Sequence, residues 1–323
     1  MRGEDAMRQA FNDLVESLPQ VGLAWHAGTI LANSRANAVH IKHTIREIEP
    51  DPRPCLIVSA GPSLYRRQII RRVRLSAFRG SIVATDGAFV QCLRHSLNPD
   101  YVVTLDPHPT RMVRWFGDPD LDANLNGDDY FNRQDLDVSF RTNSEKVNEE
   151  NIVLVDRARS KLIICSTAPA NVVKRTAHME RYWFAPLVDD VEADGLTRQI
   201  VGATALPAMN TGGTVGTAAW VFAHSVLKSP NIAVVGMDFG YPLETPLDKT
   251  QSWHMLGGDP AMYPQEQGHW GAAFTDPTYF YYRSNLLDLL AANGATLTNC
   301  SEAGLLKGEN VRCMGLDEWL KSF

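Results

Sequence analysis

The sequence predicts an α/β protein with a Rossmann-like, doubly wound and mainly parallel sheet, preceded by an N-terminal helical extension. Short apolar runs of strand length recur along the chain, as is typical of strands buried on both faces. Amphipathic stretches of helical period separate most of these runs, which gives the βαβα order of parallel sheets. The chain has 323 residues, 44% of them hydrophobic, so it can bury a large core.

The first 50 residues are predicted to form the helical extension. Apolar residues recur at helical spacing in residues 5–18 and again in residues 31–48, which predicts two helices. Three prolines within residues 49–54 exclude a helix there, because proline lacks an N–H and restricts the residue before it. We therefore expect an extension at residues 1–50 and a larger α/β unit at residues 51–323.

The larger unit alternates predicted strands with predicted helices. The strands are expected at residues 55–59, 81–85, 101–105, 152–155, 162–165, 232–236 and 296–299. The helices are expected at residues 64–77, 88–96, 170–177, 213–227 and 278–293. Sheets of this kind bind ligands outside the carboxyl ends of their strands, so we search the turns at that edge for chemistry.

Composition and missing motifs exclude several classes of protein. Lys and Arg number 31 against 37 Asp and Glu, and the net charge of −6 offers no general attraction to nucleic acid. The five cysteines form no CxxC, which argues against a disulfide framework or structural zinc and favours the cytoplasm. No stretch of the sequence is long and apolar enough to predict a membrane span, and the sequence leaves open whether the protein is a homo-oligomer. The motifs GxxxxGK[ST], GxGxxG and GxSxG are absent, which argues against a P-loop NTPase, an ordinary NAD enzyme and an α/β-hydrolase.

Two turns are candidates for holding a phosphate. The first comprises Gly61, Pro62 and Ser63, where a strand leads into a helix whose N–H groups attract anions. By itself this tripeptide favours an ordinary strand-to-helix turn. The second turn comprises Asn210, Thr211, Gly212, Gly213 and Thr214. Its uncovered glycine amides and threonine hydroxyls favour a ligand over a simple helix cap.

Three carboxylates stand at the predicted ends of strands. They are Asp86, which is followed by Gly87, then Asp106 and Asp238. Asp86 and Asp106 are candidates for Mg²⁺, which typically takes one or two carboxylates together with substrate oxygens. A role of Asp86 in capping the following helix is the structural alternative.

Two loops give weaker signals. Within the acidic segment at 118–137, residues 124–135 resemble the spacing of a twelve-residue Ca²⁺ loop. Asp129 replaces the usual glycine and Asp135 the closing glutamate, so we expect a solvated acidic loop. The stretch that follows Asp238 is rich in Gly, Pro, Trp and Tyr, as lids often are, and contains His254 and His269.

Five motifs that occur in order resemble the MptE-like family. They are GPSL at 61–64, ATDGA at 84–88, NPDYVVTLD at 98–106, NTGG at 210–213 and VGMDF at 235–239. That family joins archaeal 6-hydroxymethylpterin diphosphokinases to the core domain of bacterial motility accessory factors, which are linked to attaching nonulosonic acid sugars to flagellin. The resemblance spans about residues 30–310.

The same framework is similar to that of bacterial sialyltransferases that use CMP-sialic acid. This resemblance implies that the two turns, Asp86, Gly87 and Asp238 cradle a nucleotide and that Tyr241 reaches its phosphate. It also implies a histidine of the lid as base for the acceptor hydroxyl, a role we assign to His254. Those enzymes have asparagines at the positions of Asp86 and Asp106, so the carboxylates favour a Mg²⁺-assisted site in which Asp106 also takes part in catalysis.

The resemblance implies a nucleotide-dependent transferase. The first expectation is glycosyl transfer from a nucleotide-activated sugar of the nonulosonic type to a glycan or small-molecule acceptor, for surface or flagellar glycosylation. The alternative is pyrophosphoryl transfer from ATP to a pterin alcohol, because both reactions would use the same phosphate cradle. A non-catalytic nucleotide-binding protein is the third class.

Overall fold

A ten-stranded parallel sheet forms the centre of the computed structural model. The structure describes residues 2–109, 115–121, 148–189, 194–250 and 252–323. The side chains of residues 2–7, 23–25 and 254–255 are not described. The strands of the sheet are β1 (His43–Thr44), β2 (Cys55–Val58), β3 (Ser81–Thr85), β4 (Tyr101–Thr104), β5 (Lys161–Cys165), β6 (Arg181–Leu187), β7 (Ala208–Asn210), β8 (Ile232–Val235), β11 (Leu297–Asn299) and β12 (Val311–Cys313). A separate antiparallel hairpin consists of β9 (Gln265–Gln267) and β10 (Ala272–Phe274).

The order of the strands confirms the doubly wound fold. Across the sheet it is β1-β6-β5-β4-β3-β2-β8-β11-β12, with β7 paired to β6, and every pair is parallel. The chain moves outward from β2 to β6 and then returns to place β8 on the other side of β2. The topological switch point, where ligands of such sheets usually bind, therefore lies between β2 and β8.

Helices cover both faces of the sheet. They are α1 (Arg2–Asn37), α2 (Ser63–Arg66), α3 (Ile69–Leu75), α4 (Asp86–Arg94), α5 (Asn148–Asp156), α6 (Ala170–Arg175), α7 (Leu196–Thr204), α8 (Val215–Val221), α9 (Trp253–Leu256), α10 (Pro277–Ala292) and α11 (Leu316–Leu320). Helices α8 and α10 pack on one face, and α2, α3, α4, α6, α7 and α11 on the other. The central strands are therefore buried on both sides, which explains their continuous apolar sequences.

The N-terminal segment differs from the two predicted helices. It is one helix, α1, which continues through Pro19 and ends at Asn37. Residues 38–48 are not an α-helix: they contain β1 and the short 3₁₀ turns Ala38–His40 and Ile45–Glu47. On the N-terminal side of the proline, α1 packs on α10, where Phe11 meets the Phe280 ring edge to face at 5.4 Å between centroids. The domain boundary at residue 50 stays a prediction.

One predicted strand was wrong, and other strands were missed. The apolar run at residues 152–155 lies inside α5, whose first turn carries Glu149 and Glu150 in the position that complements a helix dipole. A run of four apolar residues does not by itself separate a strand from a helix. The missed strands are β1, β6, β7, β9, β10 and β12, of which only β6 is longer than three residues.

The remaining predicted elements are confirmed with shifted ends. The helix expected at residues 64–77 is divided into α2 and α3 at Gln68, whose φ of 51° is left-handed. The helix expected at residues 213–227 begins at Val215 and continues as the π-helical turn Phe222–Val226. Among the described residues, no helix has the length and apolar character that crossing a membrane requires.

Candidate functional site at the carboxyl edge of the sheet

A cavity of about 590 Å³ lies at the carboxyl ends of β4 to β7. Its floor includes Leu105 and Pro107 after β4, Thr167 after β5, Leu187 at the end of β6 and Asn210 at the end of β7. Helices α1 and α10 form its other walls. The volume falls within the range of small-molecule sites, so this cavity is the candidate binding site of the described chain.

The second turn faces this cavity. Asn210, Thr211, Gly212 and Gly213 all line it. Within the turn, the Gly212 N–H donates to Oδ1 of Asn210 at 2.9 Å, and Nδ2 of Asn285 donates to the Gly212 carbonyl at 3.2 Å. Thr214 has a different role, since its hydroxyl accepts the Thr217 N–H at 3.0 Å and caps α8. The structure therefore brings four of the five predicted residues to the cavity and makes the fifth a helix cap.

The two glycines of this turn are required by backbone and space. Gly212 and Gly213 have φ values of +54° and +82°, which side chains of L-amino acids rarely adopt. A Cβ at Gly212 would lie 2.4 Å from Cγ2 of Thr217, and one at Gly213 would lie 2.9 Å from Cε1 of Tyr282. Glycine at both positions thus lets the turn pack closely against Thr217 and Tyr282.

The first turn is occupied by the chain's own carboxylate. Asp238 accepts the Ser63 N–H at 2.7 Å on Oδ2 and the Ser63 hydroxyl at 2.6 Å on Oδ1, and both residues are buried. Burial raises the pKa of Asp238 to about 6, although these bonds from Ser63 lower it. Asp238 therefore lies where the sequence analysis expected a phosphate.

The first turn and its neighbours also make close backbone contacts. The Gly61 N–H donates to the Gly236 carbonyl at 2.8 Å, and the Leu305 N–H donates to the Asp238 carbonyl at 2.7 Å. A Cβ at Gly61 would lie 2.5 Å from the Gly236 oxygen, and one at Gly304 would lie 2.4 Å from the Asp238 oxygen. Gly61, Pro62 and Ser63 are not among the residues that line the cavity.

Asp86 is buried at the start of α4 and is incompletely bonded. Its Oδ1 accepts the Gly87 N–H at 2.7 Å, whereas Oδ2 has no hydrogen-bond partner in the described part of the chain. Burial, with a smaller contribution from the charge of Asp106, raises the pKa of Asp86 to about 7 against the opposing effect of hydrogen bonds from Thr104 and Gly87. Asp106 is half-buried and accepts the His108 N–H at 2.7 Å. Neither Asp86, Gly87 nor Asp106 lines the cavity.

This pair of carboxylates does not fit a hydrated Mg²⁺ ion as it stands. No three His, Cys, Asp or Glu side chains converge on one point among the residues that the structure describes. The unpartnered oxygen of Asp86 is sealed from solvent, whereas Mg²⁺ usually keeps several of its waters. The Mg²⁺ site at Asp86 and Asp106 therefore stays a prediction.

The predicted residues of the lid lie elsewhere. Tyr241 is buried, donates its hydroxyl to Oδ2 of Asp276 at 2.9 Å and stacks on Phe274, so it ties the lid to the start of α10 instead of lining the cavity. His254 belongs to α9, but its side chain lies outside the described residues. His269 is exposed beside Trp270. Of the acidic loop at 118–137, residues 122–137 lie outside the described part, and the Ca²⁺ prediction with them.

The sequence analysis missed the residues that two helices contribute to the cavity. Helix α10 contributes Tyr281, Tyr282, Asn285 and Asp288, and α1 contributes His26. Residues 281, 285, 288 and 292 share one side of α10, while Leu286 and Leu290 are buried on the other. That polar and aromatic stripe on an otherwise core-packed helix was the available signal. His26 gave none, because the N-terminal segment was assigned to a separate unit.

Residues 29–125 match the family described as 6-hydroxymethylpterin diphosphokinase MptE-like. The resemblance predicted from the motifs is therefore confirmed. The fold is similar to the structure of the MAf glycosyltransferase from Magnetospirillum magneticum AMB-1, with a TM-score of 0.60 and 15% sequence identity. That similarity covers 89% of this chain but 38% of the Magnetospirillum chain, and at this identity it shows the shared fold. No curated protein matches the chain.

The MptE-like segment covers only part of the site. It contains the last turns of α1, strands β2 to β4, the first turn, Asp86 and Asp106. The second turn, α10 and His26 lie outside it. The cavity is therefore formed mainly by residues beyond the part of the chain that the family match covers.

Proposed function

We propose that this chain carries out glycosyl transfer from a nucleotide-activated sugar, of the nonulosonic type that the motif resemblance implies. The donor would bind in the cavity with its phosphate at the backbone of the second turn. The observation that carries the proposal is this glycine turn, four of whose residues line a cavity of about 590 Å³ at the carboxyl edge of a parallel sheet. The fold shared with the MAf glycosyltransferase supports it.

The chemistry of the lining favours sugar transfer over chemistry on a triphosphate. Among the described lining residues there is no Lys or Arg, and Asp288 contributes a negative charge at the exposed rim. Triphosphates are usually held by Lys, Arg or Mg²⁺, which neutralise their charge. Hydroxyls, amides and two tyrosine rings instead suit a nucleoside and a sugar, which bind by hydrogen bonds and ring contacts.

A 6-hydroxymethylpterin diphosphokinase is the second candidate. The observation that favours it is the description of the family that residues 29–125 match. That segment contains Asp86 and Asp106, the two carboxylates predicted to hold Mg²⁺. In this alternative the ligand would be ATP with Mg²⁺, and the acceptor would be a pterin alcohol.

A thermal-melting screen separates the two candidates. The ligands are CMP, CMP-sialic acid, UDP-sugars, GDP-sugars and ATP, each with and without Mg²⁺. A ligand at 100 times its dissociation constant stabilises the native state by about 2.7 kcal/mol, which raises the melting temperature measurably. We expect the largest shift from a nucleotide-sugar. An ATP shift that needs Mg²⁺ and grows with hydroxymethylpterin would support the diphosphokinase, and no shift from any nucleotide would contradict both.

Thr211→Val tests the location of the donor. We expect about 5–30-fold weaker binding of the ligand found in the screen, because valine keeps the shape of threonine but loses the hydroxyl at the cavity wall. Calorimetric titration measures the affinity. Thr298→Val in β11, away from the cavity lining, is the matched control and should bind like the unaltered protein. Equal affinity in both variants would place the donor elsewhere.

A further inference from the structure

The C-terminal half of α1 is fastened over the carboxyl edge of the sheet. Nδ2 of Asn33 donates to the Thr167 carbonyl at 2.8 Å, and Nδ2 of Asn37 donates to the Ser166 carbonyl at 2.8 Å. The hydroxyl of Ser34 lies 2.9 Å from that of Ser166. Ser34 and Asn37 are buried, so water does not compete for these bonds. This helix is therefore a fixed wall of the cavity.

One face of α1 points into the cavity. The residues of this face recur at every fourth position and are Leu18, Gly22, His26 and Ile30. An added Cβ at Gly22 would meet nothing within 4 Å, so open space adjoins His26 on the next turn. Phe11 packs against Phe280 on the N-terminal side. His26 thus lies between two anchored parts of the helix.

Few groups of the lining can accept a proton from an acceptor hydroxyl. Its titratable members in the described part of the chain are His26, Tyr281, Tyr282 and Asp288. A tyrosine hydroxyl is protonated at neutral pH and therefore cannot act as the base. Asp288 is exposed at the rim, and a carboxylate in water is a weak base. Imidazole is the side chain that exchanges a proton between pH 5 and 8.

We infer that His26 is the base that takes the proton of the attacking hydroxyl, an inference that rests on the proposed glycosyl transfer. The hydroxyl oxygen forms a bond to the anomeric carbon of the donor sugar. The bond from that carbon to the phosphate oxygen breaks, and the nucleotide leaves with the electron pair. The hydroxyl proton passes to the unprotonated ring nitrogen of His26, and water then accepts it from the imidazolium.

Hydrolysis of CMP-sialic acid tests this role with water as the attacking hydroxyl, and release of CMP measures it. His26→Asn should lose roughly 100-fold or more in kcat, which is the usual contribution of a general base, while the Kd for CMP stays within about twofold. Imidazole should restore part of the rate in His26→Ala. His40→Asn, which changes an exposed histidine three residues beyond α1, should behave like the unaltered protein.

The outcomes separate this inference from the proposed function. A His26→Asn variant that hydrolyses the donor within threefold of the unaltered rate overturns the inference and leaves glycosyl transfer standing. Loss of CMP binding in that variant also overturns it, because His26 would then be a binding residue. An unaltered protein that neither binds nor hydrolyses any nucleotide-sugar refutes the proposed function, and the inference with it.

Discussion

The two turns that the sequence presents as phosphate cradles differ in what occupies them. In the first turn, Ser63 gives its N–H and hydroxyl to Asp238. In the second turn, the glycine backbone faces a cavity. Topology causes this difference, because β8 pairs with β2 and delivers Asp238 to the first turn, whereas β7 pairs in the described residues with β6 alone. A glycine-rich turn therefore marks close backbone approach, and its surroundings decide whether the turn is packed against the protein or lines a cavity.

Alanine substitution of one glycine in each region should give the largest contrast in stability. Gly236 packs against the first turn with φ +69°, and a Cβ there would lie 2.0 Å from the Ser59 carbonyl oxygen. We expect Gly236→Ala to lower the free energy of unfolding by about 3–5 kcal/mol, because backbone strain and a backbone clash add. Denaturant unfolding measures this change.

Gly213→Ala is the matched substitution in the second turn, the open one that lines the cavity; the first turn, bonded to Asp238, is the closed one. This variant has the same kind of backbone strain, but its Cβ would meet the Tyr282 ring, which can move toward the cavity. We expect a loss of about 1–2 kcal/mol. Equal losses in the two variants would contradict the division into a closed and an open turn.

Removal of the carboxylate from the closed turn should give the next largest effect. Asp238→Ala leaves the buried Ser63 N–H without an acceptor, and we expect a loss of about 2–4 kcal/mol. Asp238→Asn should retain most of the stability, since its amide oxygen can accept that N–H while the Ser63 hydroxyl turns to accept from its NH₂. If the alanine and asparagine variants unfold alike, Asp238 does not hold the turn closed.

Asp86 is a second buried carboxylate, but unlike Asp238 it has one oxygen without a hydrogen-bond donor in the described part of the chain. Its pKa is raised by burial to about 7, so the folded state holds a proton that the unfolded state releases near pH 4. The unaltered protein should therefore lose stability as pH rises from about 4 through 7, and Asp86→Asn should lack this loss. The difference in unfolding free energy between the two proteins should grow by about 1–3 kcal/mol from pH 5 to pH 8.

Denaturant unfolding of both proteins at several pH values measures that difference. The comparison with Asp86→Asn is needed because Asp238, whose pKa is raised to about 6, gives a pH dependence of the same sign in both proteins. A difference that stays constant from pH 5 to pH 8 would show that Asp86 is ionised throughout. Its environment would then be more polar than the structure indicates.

The sequence by itself determined six of the ten strands of the sheet and the positions of the turns. Continuous apolar runs predicted β2, β3, β4, β5, β8 and β11, because a strand that is buried on both faces has apolar side chains at successive positions. Gly61, Gly212 and Gly213 were also recognised from the sequence, because glycine marks turns in which the backbone leaves no room for a side chain. These features are local, and the fold class follows from their order.

Only the tertiary structure decided which residues share a site. Asp238 and Ser63 are 175 residues apart in the chain, and their hydrogen bonds remove the first turn from the set of open cradles. His26 and Asn285 come from opposite ends of the sequence to line one cavity. Such proximity depends on strand order and on the packing of α1 and α10, which residue spacing does not encode. The continuous α1 shows the same limit, because the sequence pattern predicted two helices where the structure has one helix through Pro19.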